Sequence, residues 1–456
     1  MNNIYGVILG AGEGTRMKSC LPKVLHKVAG KELISHVTEC LSYVKMQKLF
    51  VVIGSGSELV LKHLEEFNKK INVVPVLQEK RLGSGHALLQ VKKHADGLKG
   101  HLVVMCGDTP LVKHETIKLL LQYHIKNKNS ATVLSGIVDN PFGYGRIVRN
   151  SSGNVSCIAE EKSADAEQKQ IKEINSGIYC FDLQNLWRAL SKVKNNNSKK
   201  EYYLTDVISI LNKSGHKTDA VSLTNKEEIL GINDRKQLAY AEKILRNRKI
   251  EELMANGVTV TDPSSTYIDS DVFIGQDTII KPNTSIEGKS KIGKNCIIGP
   301  NTCIVNAYIG NKTAVLYSYI ESSDIKNNIK IGPFSHIRPG SVLKDDVKVG
   351  NFSEVKKSVI DKGSKINHLS YIGDASIGKG VNIGAGTITC NYDGNKKYQT
   401  IIKDDVFVGS NVNLVAPVKI GSKVLIAAGS TITENVLPNK LTIARARQII
   451  KVRKKK

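Results

Sequence analysis

Aliphatic–glycine pairs recur through the C-terminal half of the chain and constrain its fold more than any other sequence feature. Many of their spacings are multiples of six, such as 18 residues from Ile274 to Ile292 and 12 from Val408 to Ile420. Repetition at a short fixed period indicates a solenoid whose turns bury their apolar residues against one another. A period of six, with three repeats to a turn, predicts a parallel β-helix with triangular coils. The pairs include Ile274-Gly275, Ile292-Gly293, Ile298-Gly299, Ile331-Gly332, Val349-Gly350, Ile377-Gly378, Ile383-Gly384, Val408-Gly409 and Ile420-Gly421.

The repeat loses its register between Ile383 and Val408, where the gap of 25 is one residue more than four repeats. Residues 389–400, TCNYDGNKKYQT, are polar and predict a loop that projects from the coil. His368 precedes this loop, and an imidazole with a pKa of about 6.5 is suited to take a proton from an attacking amine. A lone histidine is more often an unreactive surface or core residue, so the residue type alone does not decide its role.

The N-terminal half alternates apolar runs with amphipathic stretches. The runs predict strands at 4–9, 49–55, 71–77 and 101–108, and the alternation favours a doubly wound α/β sheet. In such sheets ligands bind beyond the carboxyl ends of the strands. A glycine-rich turn, GAGEG, follows the first strand and can bring backbone N–H groups up to a phosphate or a nucleobase. We expect the two cations beside this turn, Arg16 and Lys23, to suit a nucleoside triphosphate.

Asp108 lies at the end of the fourth predicted strand, between glycine and proline. A carboxylate at that position can hold Mg²⁺ on a triphosphate. The alternative is a helix N-cap, which is the commoner use of a lone aspartate there.

Residues 235–256 carry apolar side chains at helical spacing and contain neither Gly nor Pro. They predict a helix of about 33 Å. It is either an ordinary surface helix of the first domain or a strut between domains, and the onset of the repeat soon afterwards favours the strut.

A chain of 456 residues is too long for one core, so two or three domains are expected. Apolar runs stay below about 18 residues, so no membrane insertion is expected. The eight cysteines are scattered without a CxxC pair, which favours a cytoplasmic protein with reduced thiols. The net charge of +24 could indicate nucleic acid, but lysine bias and phosphorylated substrates explain it too, and one Trp offers little base stacking.

Motifs spread over nearly the whole chain resemble one family. The segments LGAGEGTRM, LPKVLHKVAGK, QEKRLGSGHAL and MCGDTPL look like a sugar-1-phosphate nucleotidyltransferase, and FGYGRI, AEEK, EINSGIY, EYYLTDVI and GINDR continue the likeness. In the repeat half the matching segments are IRPGS, NFSEVKKS, NHLSYIGD, NIGAGTITCNYDG and FVGSN. Together they resemble the bifunctional bacterial N-acetylglucosamine-1-phosphate uridyltransferases and glucosamine-1-phosphate N-acetyltransferases.

The resemblance implies a first site for UTP and the sugar phosphate. The metal, Mg²⁺, would be held by Asp108 and Asn233, and the phosphates of UTP by Arg16 and Lys23. The family often has Ala at position 10 and Lys at 13, and Glu13 here is expected to weaken UTP binding modestly. The residues expected to bind UTP or the nucleotide sugar are Leu9, Gly10, Ala11, Gly12, Lys23, Gln78, Gly83, Ser84, Cys106, Gly107, Asp108, Gly145, Glu160, Asn175 and Asn233.

The resemblance implies a second site in the repeat half. His368 would be the base, and Glu354 would orient or polarise the base or the amine. Since the amine attacks the thioester directly, Cys390 is not expected to be a nucleophile. Glucosamine-1-phosphate would be bound by Arg338, Lys356, Tyr371 and Asn382. The acetyl-CoA site would be lined by Ala385, Asn391, Tyr392, Lys397, Ser410, Ala428 and Arg445.

The implied architecture is an α/β Rossmann-like nucleotidyltransferase domain at 1–232, a linker α-helix at 233–256, a left-handed parallel β-helix of hexapeptide repeats at 257–445 and a basic tail at 446–456. The implied activity is acetylation of glucosamine-1-phosphate followed by uridylation to UDP-N-acetylglucosamine, in a homotrimer, with no nucleic acid partner. Two alternatives stay open. One is a nucleotidyltransferase whose solenoid only assembles it, and the other is a basic RNA-associated protein.

Overall fold

The structure is a computed structural model that describes residues 3–54, 57–65, 71–197 and 200–453. Its chain divides into two compact units, Met1–Leu245 and Arg246–Lys456. Among the described residues, no helix combines the length and the apolar character that crossing a membrane requires.

The first unit is built around a mixed sheet. Its strands are β1 Ile4–Leu9, β2 Lys27–Val28, β3 Lys31–Glu32, β4 Lys48–Gly54, β5 Val73–Gln78, β6 His101–Cys106, β7 Ala131–Ile137, β8 Arg146–Arg149, β9 Val155–Ala159, β10 Glu173–Asp182 and β11 Thr218–Leu223. The sheet has the strand order β11-β7-β10-β6-β1-β4-β5, β8 pairs with β10, and β9 pairs with β8. Strands β1, β4, β5 and β6 run parallel, while β10 is antiparallel to β6 and β7.

Helices cover the sheet because its central strands are apolar along their whole length and need burial on both faces. The helices are α1 Leu33–Ser42, α2 Glu58–Glu65, α3 Ser84–Lys92, α4 His114–Lys126, α5 Ala166–Gln170, α6 Leu183–Leu190, α7 Asp206–Lys213 and α8 Arg235–Ala255. Short 3₁₀ turns lie at Thr15–Met17, Lys23–Leu25, Lys226–Ile229 and Pro263–Ser265.

The four predicted strands are present with small changes at their ends. The first has the predicted bounds, and the fourth ends at Cys106, since Gly107 and Asp108 form the turn that follows it. The second is Lys48–Gly54, and position 55 of its prediction lies outside the described residues.

The predicted helix at 235–256 is α8, and it contributes to both units. Leu238, Ala241 and Ile244, from its first half, pack in a small cluster of the first unit. Ile250 and Leu253, from its second half, are buried in the core of the second unit. The division between the units falls inside the helix, after Leu245.

The second unit is a parallel β-helix, as the repeat predicts, and it is left-handed. Three parallel sheets form its faces. The first contains Thr259–Val260, Ile279–Ile280, Ile297–Ile298, Ala314–Val315, Lys330–Ile331, Lys348–Val349, Lys365–Ile366, Asn382–Ile383, Phe407–Val408, Leu425–Ile426 and Leu441–Thr442. The second contains Tyr267–Ile268, Ser285–Glu287, Cys303–Val305, Tyr319–Glu321, His336–Ile337, Glu354–Lys356, Tyr371–Gly373, Ile388–Cys390, Asn413–Val415 and Thr431–Ile432. The third contains Phe273–Ile274, Lys291–Ile292, Tyr308–Ile309, Asp324–Ile325, Val342–Leu343, Val359–Ile360, Ala375–Ile377, Thr400–Ile402 and Val418–Ile420.

The aliphatic member of each predicted pair is buried in a single core that runs along the coil. The glycines are needed mainly for clearance between coils. A Cβ on Gly275 would lie 2.8 Å from the backbone of Gly293 in the next coil, and a Cβ on Gly350 would lie 1.9 Å from the Asn367 carbonyl oxygen. The hexapeptide period therefore records both an inward side chain and a close approach of successive turns.

Candidate active sites

The glycine-rich turn after β1 lies against the ends of β4 and β6. Gly10 donates its backbone N–H to the Val52 carbonyl at 2.8 Å, and Gly107 donates to the Leu9 carbonyl at 2.9 Å. These two bonds bring Leu9, Gly10 and Gly107 to one edge of the sheet, where parallel α/β sheets bind their ligands.

Lys23, Asp108 and Asn233 meet at this edge although they are far apart in sequence. The Lys23 ammonium forms a short ion pair with the Asp108 carboxylate and donates to the Asn233 Oδ1 at 3.2 Å. Asp108 is placed by the turn after β6, and its backbone carbonyl accepts from the Ile232 N–H at 2.9 Å. A carboxylate and an amide oxygen converging on a cation are the donor chemistry that Mg²⁺ prefers, so this pair fits a hard divalent cation. Arg16, the other predicted cation, is exposed in its 3₁₀ turn.

Glu13 is paired, which the sequence did not predict. Arg81 donates to the Glu13 carboxylate at 2.8 Å and to the Ala11 carbonyl at 2.9 Å. The carboxylate expected to repel UTP therefore has a guanidinium beside it.

The segment after β5 is fixed by the EYYLTD segment. Gly85 donates to the Tyr202 carbonyl at 2.8 Å, and Ser84 accepts from the Leu204 N–H at 3.1 Å. Gly83 has φ of 101°, and a Cβ there would lie 2.6 Å from the Tyr202 carbonyl oxygen, so only glycine fits. Gln78 is buried and donates to the Gly83 carbonyl at 3.2 Å.

The predicted sugar-binding residues lie around β10. Asn175 donates its backbone N–H to the Gly145 carbonyl at 2.9 Å, and Glu160 accepts from the Thr205 hydroxyl at 2.9 Å. Burial raises the pKa of the Cys106 thiol to about 12, and its sulfur lies 3.8 Å from the Gly177 carbonyl oxygen. Cys106 is thus a neutral packing group at the start of the turn that carries Gly107 and Asp108.

In the β-helix, Glu354 and Tyr371 are directly opposite each other on neighbouring strands of the second sheet. Arg338, one coil earlier, donates to the Glu354 carboxylate at 2.7 Å, and this bond raises the pKa of the guanidinium. Lys356, on the same strand as Glu354, faces Gly373 in the sheet register. Arg338, Glu354 and Tyr371 thus occupy successive coils of one face, while Asn382 lies on the first sheet, where it is opposite Lys365.

His368 has a side-chain partner that the sequence did not single out. Its Nδ1 lies 2.5 Å from the Asn351 Oδ1. Because an amide oxygen accepts, Nδ1 carries the proton and Nε2 is left as the basic nitrogen. In this structure Glu354 bonds to Arg338, and the orientation of the imidazole comes from Asn351.

The predicted loop at 389–400 is shorter than expected. Thr389 and Cys390 complete a strand and Thr400 begins the next, so the excursion covers 391–399. Asn391 ties its base to the coil by donating to the Asp374 carboxylate at 2.5 Å, and Tyr392 pairs with Lys397 across the loop. Burial raises the pKa of the Cys390 thiol, which disfavours the nucleophilic thiolate.

Several predicted acetyl-CoA residues occupy turns of successive coils. Asn411 donates to the Ala385 carbonyl at 2.7 Å, and Gly429 donates to the Ser410 carbonyl at 2.8 Å. Arg445 reaches back to the Ala428 carbonyl at 2.7 Å. Ala385, Ser410 and Ala428 therefore follow one another along one edge of the coil.

Asn351 and Arg81 are the residues that the sequence did not single out. Asn351 precedes His368 by 17 residues, about one coil, so the repeat length could have identified it. Arg81 and Glu13 are 68 residues apart on different loops, and no pattern in the sequence connects them.

Comparison with known proteins defines the class of this chain. Residues 5–227 match the family described as nucleotidyl transferase, residues 263–351 match the GMPPB C-terminal domain, and residues 399–434 match the bacterial transferase hexapeptide. A crystal structure of UDP-glucose pyrophosphorylase complexed with UDP-glucose gives a TM-score of 0.45 at 18% identity, covering 54% of this chain and 100% of that chain. The chain is thus a nucleotidyltransferase joined to a hexapeptide-repeat transferase.

Relatives over the full length are more specific. The bifunctional protein GlmU of Caldanaerobacter subterraneus subsp. tengcongensis is 51% identical over 98% of this chain and 96% of the relative. The bifunctional protein GlmU of Halalkalibacterium halodurans is 50% identical over 98% and 97%, and that of Clostridioides difficile is 48% identical over 98% and 96%. The chain belongs to the bifunctional GlmU family, and the predicted combination of two transferases is confirmed.

Proposed function

We propose that this protein makes UDP-N-acetylglucosamine in two steps, one in each unit. The β-helix transfers the acetyl group of acetyl-CoA to glucosamine-1-phosphate, and the N-terminal unit transfers UMP from UTP to the product and releases pyrophosphate. The observation that carries the proposal is that one chain holds both the Lys23–Asp108–Asn233 cluster and the oriented base His368.

Uridyl transfer requires positioning and charge compensation rather than a covalent enzyme group. A phosphate oxygen of the sugar attacks the α-phosphorus of UTP, and the bond to the leaving pyrophosphate breaks. Lys23 and Arg16 are positive and lie on the loops that follow the glycine-rich turn, where they would offset the charge that develops on the pyrophosphate. The backbone of residues 9–12 and the buried Gln78 would hold the base, and Gly145, Glu160 and Asn175 the sugar.

Asp108 and Asn233 would hold Mg²⁺. Bound there, the ion would supply positive charge to the phosphate oxygens. The Lys23 ammonium contacts the same two oxygen atoms, which places its positive charge next to the proposed metal site.

The geometry around His368 supports acetyl transfer. The sugar amine attacks the thioester carbonyl, the Nε2 of His368 takes the amine proton, and the CoA thiol leaves. Arg338 and Lys356 would bind the sugar phosphate, and the guanidinium has further donors for it after the bond to Glu354. Tyr371 and Asn382 would complete the sugar site. The turns at Ala385, Ser410 and Ala428, with Arg445 and the loop residues Asn391, Tyr392 and Lys397, would line acetyl-CoA.

A homotrimer is part of the proposal. Three aromatic side chains and one leucine, which together we call the aromatic ladder, are exposed on successive coils: Tyr317, Phe334, Phe352 and Leu369. The ring centroids are 5.6 Å apart for the first pair and 5.3 Å for the second. Continuous exposed apolar surface indicates a protein contact, and copies of the same chain would cover it. The ladder adjoins the second site, because Phe352 and Leu369 directly follow Asn351 and His368.

The predicted domain bounds remain part of the proposal: 1–232 for uridyl transfer, 233–256 for the linker helix, 257–445 for acetyl transfer and 446–456 for the basic tail. A cytoplasmic location is also proposed, supported by eight free cysteines.

The proposal is tested by mixing glucosamine-1-phosphate, acetyl-CoA, UTP and Mg²⁺ and leaving out one component at a time. UDP-N-acetylglucosamine should form only in the complete mixture. If acetyl-CoA can be omitted without loss of that product, the bifunctional proposal fails.

Asp108→Ala should reduce uridyl transfer by roughly a hundredfold or more, because it removes a proposed metal ligand. Acetyl transfer by the same preparation should be unchanged. Asp96→Ala, an exposed aspartate of the same unit, is the matched control and should retain both activities. Near-normal uridyl transfer by the Asp108 variant would contradict the metal assignment.

A further inference from the structure

We propose that Arg81 is a positioning residue for UTP, which holds the glycine-rich loop in its nucleotide-binding conformation and neutralises Glu13. The inference rests on the proposed uridyl transfer and assigns a role to a residue outside the predicted site. It also explains how this chain accommodates a glutamate where the family pattern often has lysine.

The contacts of Arg81 join two loops that both border the nucleotide site. Its Nε donates to the Ala11 carbonyl at 2.9 Å and its Nη1 donates to the Glu13 carboxylate at 2.8 Å. Ala11 and Glu13 lie in the turn after β1, whereas Arg81 lies in the segment between Gln78 and Gly83. One guanidinium therefore fixes the turn against the segment that follows β5.

The protein leaves space for this guanidinium. Gly54, the last residue of β4, lies beneath it, and a Cβ there would be 3.0 Å from the Arg81 Nη2 and 3.1 Å from the Ala11 oxygen. Such distances are tight, so a larger residue at 54 would push the guanidinium and the carbonyl apart.

The bond to Ala11 determines the direction of a neighbouring donor. The peptide between Ala11 and Gly12 is planar and trans, so the Gly12 N–H points away from the side to which the Ala11 carbonyl points. Holding the carbonyl on Arg81 therefore turns the Gly12 N–H away from Arg81. Backbone N–H groups of such turns are the donors that bind nucleotides. The bond from Arg81 to Ala11 therefore fixes the direction of one such donor before UTP binds.

The bond to Glu13 acts through charge. An unpaired carboxylate in this turn would repel the triphosphate, and the adjacent guanidinium compensates it. Both effects change UTP affinity equally in the ground state and the transition state. Loss of Arg81 should therefore raise KM and leave kcat nearly constant.

Arg81→Gln should raise the KM for UTP about tenfold, since it removes a charge-assisted bond and frees a negative charge, while kcat changes less than about twofold. Arg81→Lys keeps the charge but replaces the planar fork of the guanidinium with a single ammonium nitrogen, and its KM should lie between those of Arg81→Gln and the wild type. Lys80→Gln, which removes the neighbouring exposed cation, is the matched control and should keep the wild-type KM.

A double-mutant cycle with Glu13 separates the effect of the Arg81–Glu13 pair from a general loss of positive charge. Glu13→Gln alone should change the KM little, because Arg81 retains its bond to Ala11. The double variant should have a KM about threefold below that of Arg81→Gln, because the unpaired carboxylate is gone. A double variant no better than Arg81→Gln would overturn the role assigned to the pair.

The outcomes distinguish this inference from the proposed function. If the wild type does not turn over UTP, the proposed function fails. If the wild type is active and Arg81→Gln has the same KM as Lys80→Gln, only the role of Arg81 fails. Unfolding of each variant, followed by the fluorescence of Trp187, the single tryptophan and a residue of this unit, identifies a folding defect. Should Arg81→Gln unfold, the comparison of Arg81→Lys with Lys80→Gln decides the question.

Discussion

Asn351 fixes the tautomer of the proposed base by accepting from the Nδ1 of His368. Asn351→Ala should lower kcat for acetyl transfer by roughly tenfold to a hundredfold, because the ring loses its orientation. Asn351→Asp should retain more activity and move the acid limb of the pH–rate profile to higher pH, since a carboxylate favours the protonated ring. The profiles are measured from initial rates of CoA thiol release.

Asn327→Ala is the matched control for Asn351, because Asn327 also bonds across coils, to Asp345 at 3.0 Å, away from His368. It should keep the wild-type profile. If Asn351→Ala behaves like this control, the imidazole is oriented by another group.

At this scale the sequence predicted residue types better than their partners. His368 and Asp108 were identified by the family motifs around them, because the residue type alone left an unreactive histidine and a helix N-cap as the commoner readings. Their bonds to Asn351 and Lys23 depend on the exact rotation of one coil on the next and on the meeting of two distant loops. The local sequence pattern contains neither kind of information, and it did not predict the bond between Arg338 and Glu354 either.

At the scale of elements, α4 packs a titratable ring against the sheet. His124 is fully buried, its Nδ1 lies 2.9 Å from the Thr132 hydroxyl on β7, and its ring meets that of His101 at 5.1 Å. Burial, together with the charge of His101, lowers the pKa of His124 to about 3. The His124 ring therefore stays neutral in the folded state at pH values below about 6.5, where the same ring in the unfolded chain binds a proton.

This depressed pKa predicts acid sensitivity of the first unit. Between a pH of about 6.5 and about 3 the unfolded state binds more protons, so the free energy of unfolding falls as the pH falls. His124 should contribute about 1.4 kcal/mol per pH unit in that range. Urea unfolding from pH 7 to 5, followed by the fluorescence of Trp187 on α6, measures the slope.

His124→Gln should reduce the slope of the unfolding free energy against pH by the equivalent of about one proton bound on unfolding, even if the stability of the variant at pH 7 is lower. The exposed His94 is the matched control, and His94→Gln should leave the slope unchanged. Equal slopes for the two variants would show that His124 titrates normally in the folded state.

Element types were predictable because burial imposes them. The apolar runs of β1, β4, β5 and β6 were identified to within about two residues, since β1, β4 and β6 are buried on both faces and β5 on one. The antiparallel β10 was not identified, because its bulged register between Asn175 and Tyr179 breaks any simple alternation.

At the scale of the whole molecule, the aromatic ladder predicts assembly. Phe352→Glu places a charge in the middle of the ladder, at a phenylalanine that is 57% exposed. We expect the variant to sediment as a smaller species than the wild type, because burying an unpaired carboxylate is costly. Acetyl transfer should fall roughly a hundredfold, since the adjacent site depends on placement, while uridyl transfer persists.

Phe273→Glu, at an exposed phenylalanine outside the ladder, is the matched control and should retain the wild-type sedimentation coefficient. Sedimentation velocity at several concentrations makes the comparison. A Phe352→Glu variant that sediments like the wild type would remove the ladder from the proposed interface.

The burial of Ile250 and Leu253 in the β-helix core has a practical consequence for anyone who dissects the protein. A fragment that begins at 257, where the repeat can first be recognised, would lack these two side chains and expose the apolar end of the first coil, and solenoids aggregate when an end is uncovered. A fragment that begins at 246 retains them. A fragment designed to carry acetyl transfer alone should therefore begin inside the helix, at a position that the repeats themselves do not indicate.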